Sequence, residues 1–88
     1  MTSYDYSSAR KSCAEFGLTW FGDEYAERQI GSIAKANDFT QQQIDVAFRT
    51  HLWQVKQLFE PSNYRWAQRV LIALYFLTGW RPNVKKRS

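Results

Sequence analysis

Residues 39–44 read Phe-Thr-Gln-Gln-Gln-Ile, which is a complete helix start. Thr40 is an N-cap whose hydroxyl can accept the N–H three residues on, and Gln43 stands where its side chain can return the bond. Phe39 and Ile44 flank this capping box at the spacing of a hydrophobic staple. The start fixes the phase of the helix after it. Ile44, Ala47, Phe48, Leu52, Val55, Leu58 and Phe59 share one apolar face, and Pro61 ends the run. The pattern predicts a helix of about 18–20 residues.

Three further helices are expected. Asp5 or Ser3 can cap a first one, with Tyr6, Ala9, Cys13 and Phe16 as its apolar stripe and Gly17 as its C-terminal stop. Leu18, Trp20 and Phe21 come next in a short connection and are expected to plug the core. A second helix starts near Asp23 with Asp23, Glu24 and Glu27 at its positive pole. Ala26, Ile30, Ile33 and Ala34 form its inward face. Gly31, mid-helix, points to close approach by a neighbouring helix, and Asn37-Asp38 end the pattern with residues that tolerate a left-handed turn. The last helix is placed at residues 63–78, capped by Ser62 and stopped by Gly79 and Pro82. Its second half is apolar nearly all round, which predicts the most buried helix of the four. Nothing alternates with period two. The expected fold is all-α: one compact bundle of about four helices over residues 1–82, then a basic tail, 83–88.

Composition bounds the classes of function. The 88 residues are 44% hydrophobic and 17% aromatic, which suits a folded domain with one small core. The single cysteine excludes an internal disulfide, and a cytoplasmic setting is expected. The longest apolar run, Val70 to Leu77, is far short of the roughly 20 residues that cross a bilayer, so no membrane association is expected. No secretion signal core is visible at the N-terminus.

Signals for catalysis are weak. His51, the only histidine, falls with Ile44, Phe48 and Val55 on the apolar side, and Cys13 lies on an apolar stripe too. One Cys and one His cannot build the usual zinc sites, and no phosphate loop or nucleophile elbow is present. The expectation is a binding protein, not an enzyme, with no cofactor and no metal.

Charge points to a partner. Residues 1–60 hold six Lys/Arg against eight Asp/Glu, whereas residues 61–88 hold six Lys/Arg and no acid. Arg65, Arg69, Arg81, Lys85, Lys86 and Arg87 would offer a positive surface to an anionic partner. Opposite the core stripe of the third helix, Gln42, Val46, Arg49, Trp53, Lys56 and Gln57 are expected to face outward. An exposed Trp beside cations suits either a protein hot spot or stacking on a nucleobase.

Residues 29–49 also resemble a helix-turn-helix DNA-binding motif, over about a quarter of the chain. Ile33 and the small Ala34 precede the turn. Asp38 stands where that motif usually has Gly, followed by Phe39, the cap Thr40, Ile44 and Ala47. The resemblance implies that Thr40, Gln41, Gln42, Val46 and Arg49 lie near the major groove, where Gln can read adenine and Arg can bind guanine or phosphate. A dimer would read two half-sites about one turn apart, and homodimerisation is left open. The alternative is a small accessory protein of phage or plasmid type that docks on a nucleic-acid-handling enzyme and inhibits or redirects it.

Overall fold

The computed structural model describes residues 4–82. Its helices are α1 (Tyr6–Ala14), α2 (Glu24–Ala36), α3 (Gln41–Leu58) and α4 (Tyr64–Leu77), with a single 3-10 turn at Pro61–Asn63 before α4, and there is no strand among the described residues. α3 is the spine. It packs against α1 on one flank and α4 on the other, and α2 packs on α4.

Local chemistry sets the ends of the helices. Asp5 accepts from the N–H groups of Ser7 and Ser8, Asp23 from that of Ala26, and both halves of the Thr40–Gln43 box are formed. Three helices then end in the same way. Gly17, Asp38 and Gly79 take positive φ, at 70°, 62° and 76°. The residue after each donates back across the last turn, Leu18 to Cys13, Phe39 to Ala34 and Trp80 to Tyr75. This is the Schellman arrangement, which sends an apolar residue inward just past the helix end. Leu18 and Phe39 are buried and Trp80 is half-buried. Asp38 fills a position glycine would take more cheaply, within what Asp tolerates.

Phe48 is the hub of the core. Trp20, Tyr6 and Phe76 surround it with ring centroids 4.8, 5.8 and 6.3 Å away, and Phe39 stacks on Phe76 at 4.5 Å. Trp20 comes from the α1–α2 connection and donates its indole N–H to Glu27 at 3.0 Å. Glu27 also pairs with Arg10. The same connection is held by one buried amide: Gln68 of α4 donates to the Thr19 carbonyl at 2.9 Å and accepts from the Phe21 N–H at 3.1 Å.

Four expectations are corrected. Phe16 is exposed, because α1 ends at Ala14 and helical phase no longer applies to it. Ser62 is not the cap of the last helix; it lies in the 3-10 turn that Pro61 opens, and Asn63 holds the N-cap position. Leu58, placed on the apolar face of the third helix, is exposed; Gly31, as expected, gives room to a neighbouring helix, through the Tyr6 hydroxyl of α1. α4 is not the most buried helix: only Ala67, Gln68, Ile72 and Phe76 are buried in it, whereas α3 buries Ile44, Ala47, Phe48, His51, Leu52 and Val55. α4 packs on both α3 and α2, yet Trp66, Val70, Leu74 and Leu77 on it are left open to solvent.

His51 sits inside this core. Its ring stacks on Tyr75 at 4.4 Å and tilts against Trp80 at 5.0 Å, with Nδ1 3.3 Å from the Gln54 side-chain amide oxygen, Oε1, and Nε2 without a hydrogen-bond partner. Burial holds its pKa below the usual histidine value. The folded state thus favours the neutral ring. Stability from this site is complete above the unfolded pKa of about 6.5 and is lost as pH falls through that value toward the folded one. Thermal unfolding is expected to drop in midpoint between pH 7.5 and pH 5, and His51→Phe should flatten that part of the profile. An unchanged slope in the variant would assign the pH dependence to other groups.

Candidate binding surface

The outer stripe of α3 is divided by α1. Gln41 turns into the seam, where it accepts from the Asp5 N–H at 2.8 Å and donates to the Asp5 carbonyl at 2.9 Å and to Asp45 at 3.0 Å. Asp45 also accepts from the Ser8 hydroxyl at 2.9 Å. Arg49, expected to point outward, is half-buried on the same seam, donating to the Ser12 hydroxyl oxygen. The polar residues of α1 draw in this flank of α3. Thr40 is exposed but engaged as the cap, Val46 is half-buried, and Gln42, Trp53, Lys56 and Gln57 are open to solvent.

The C-terminal cations are divided in the same manner. Arg69 pairs with Asp23 at 3.1 Å. Arg81 caps the end of α2, donating to the carbonyls of Asn37 and Asp38, and lies over the Phe39 ring at 5.3 Å. Both serve the fold. Arg65 is exposed and, like Lys56, makes no hydrogen bond or ion pair among the described residues. Lys85, Lys86 and Arg87 lie outside the described residues.

The surface left open forms a band. Arg49 has its guanidinium carbon 4.9 Å from the centroid of the exposed Phe16 ring. Trp53, 56% exposed, comes one turn further along α3, and Lys56 stands beside it. Lys56 and Phe21 line a hollow of about 100 Å³ with Leu18, Thr19, Tyr64 and Gln68. Phe21 then borders a shallower dish with Pro61, Ser62 and Arg65. Aromatic and cation alternate along the whole path: Phe16, Arg49, Trp53, Lys56, Phe21, Arg65. Sequence reasoning named Arg49, Trp53, Lys56 and Arg65 but assigned Phe16 and Phe21 to the core.

No protein-family model, curated protein or solved structure matches this chain. The chemistry of the surface must therefore carry the reading.

The hollow has room for about three waters and is well below the size of a typical small-molecule pocket. The Cys13 thiol is buried and pushed up to about 11, chiefly by desolvation, so it stays protonated at neutral pH. Among the described residues, no three His, Cys, Asp or Glu side chains gather into a metal-binding group, and no helix is long and apolar enough to cross a membrane.

Proposed function

We propose that the chain is a small nucleic-acid-associated binding protein that holds an unpaired stretch of strand along this band. The observation that carries the reading is the alternation of three aromatic rings with three cations on one continuous surface. Rings offer a face on which any base can stack, and cations between them meet the phosphates that separate successive bases. Duplex reading in the helix-turn-helix manner is the second form of this proposal. It would rest on Thr40, Gln42 and the free end of α3, since Gln41 and Asp45 are occupied by α1.

Anisotropy titration of labelled single-stranded and duplex oligonucleotides at stepped salt tests both. A single strand is expected to bind more tightly than duplex. Trp53→Ala should weaken it by roughly 10–100-fold, the loss of one stacked base. Lys56→Ala and Arg65→Ala should each lower the salt slope by about 0.7. Preference for duplex with dependence on Gln42 would favour the helix-turn-helix form. No binding to any strand at low salt would overturn the proposal. A salt-insensitive protein partner lost on Trp53→Ala would instead support the accessory-protein alternative.

A further inference from the structure

The solvent side of α4 is uncharged and apolar. Trp66, Val70, Leu74 and Leu77 are spaced at steps of four, four and three residues, so they form one row along the helix. They are 52%, 46%, 53% and 64% exposed. The half-buried Ala73 lies within the row. Arg65 and Arg69 stand to one side of it, near the N-terminal end, and Arg69 is turned toward Asp23. The row exposes roughly 450 Å² of mostly apolar surface, as large as the biggest patch on an ordinary monomer.

We propose that this row is a homodimer interface, with α4 paired antiparallel to α4 of a second copy. Two observations point to a copy of the chain. Two-fold pairing sets a patch against itself, which a row free of charge accepts without repulsion. Burying it in both copies removes roughly 900 Å² from water, the size of a weak, concentration-dependent interface. Polarity then selects the direction. In a parallel pair the two helix N-termini, both positive poles, would lie side by side. In an antiparallel pair each N-terminus comes beside the partner's last helical turn, the negative pole of its dipole. The two-fold axis passes near Val70 and Ala73. Ala73 lets the helices approach there, Val70 meets the partner's Leu74, and Trp66 covers the partner's Leu77. Trp66 is preset for this contact: its indole N–H donates to Asn63 at 3.2 Å, and its ring meets Phe59 edge-on at 5.6 Å. Little side-chain freedom is lost when it docks. The interface shares no side chain with the aromatic–cation band, so its success or failure is independent of nucleic-acid binding.

Sedimentation equilibrium of the full chain, from low micromolar to near-millimolar concentration, tests the pairing. The mass is expected to rise to that of two chains. Leu74→Glu should weaken the dimer by about 100-fold or more, through an uncompensated charge in an apolar contact, with the helical circular dichroism unchanged. If that variant loses helicity, Val70→Glu serves in its place. Mixing Leu74→Glu chains with Val70→Lys chains should restore a heterodimer, because the antiparallel register sets these positions against each other. A monomer throughout the concentration range, or a dimer indifferent to both glutamate variants, overturns the interface. Rescue by Leu74→Lys chains and not by Val70→Lys chains overturns the antiparallel register.

Discussion

Gln68→Met is expected to lower the unfolding free energy by about 2–4 kcal/mol, although the two side chains have nearly the same shape. The substitution leaves the Thr19 carbonyl and the Phe21 N–H without their partner. Each is a part-buried backbone group, and an unmet group of that kind costs about 1–3 kcal/mol, less where water from the adjoining hollow can reach it. The loss is a large share of what a chain of this size has, about 5–10 kcal/mol in all. The melting midpoint should drop by roughly 10–25 °C. The damage should also be local. Trp20 lies between the two bonded residues, so amide exchange at Phe21 should quicken well before the amides of α3 respond. Equal stability in urea, or uniform loss of protection across the chain, would show that the amide does not pin the connection.

Gln68 also marks the limit of what the sequence could reveal. Its two bonds span 47 and 49 residues, and no local pattern reports such a pairing. Local chemistry was legible. The capping box and the left-handed positions at Gly17, Asp38 and Gly79 depend on residues within one turn of each other, and the buried face of α3 from Ile44 to Val55 follows from that phase. α4 was not legible for the opposite reason. A helix apolar nearly all round has no preferred face, so its pattern could not say which side meets the core. The sequence therefore predicts burial for Leu74 and Leu77, which the structure leaves exposed. On the binding surface, Trp53 and Lys56 came from the phase of α3. So did Arg49, although that phase could not show that the Ser12 hydroxyl of α1, 37 residues away, draws it into the seam. Phe16 and Phe21 were misjudged because both lie in connections, where period gives no direction. They complete the band with Arg49 and Arg65, so most of its aromatic content came from segments in which the sequence had predicted burial.

The connection also supplies the other large effect. Gly22→Ala is expected to destabilise the fold by about 3 kcal/mol, the upper end of the usual overpacking range. The backbone of Gly22 does not take positive φ, so the cause is not conformational. A Cβ there would overlap the indole of Trp20. That ring cannot simply swing aside. It is buried, it packs on Phe48 at 4.8 Å, and its N–H is held by Glu27 at 3.0 Å. The methyl group must therefore displace the hub of the core or bend the connection that Gln68 holds. A double-mutant cycle separates this steric account from a generic glycine effect. Trp20→Leu alone should cost stability, through lost area and the lost Glu27 bond. In that background Gly22→Ala should be close to neutral, since the atoms it would strike are gone. The coupling between the two positions should then nearly equal the whole cost of Gly22→Ala. Simple additivity would mean that the glycine is needed for its backbone and not for the ring it accommodates.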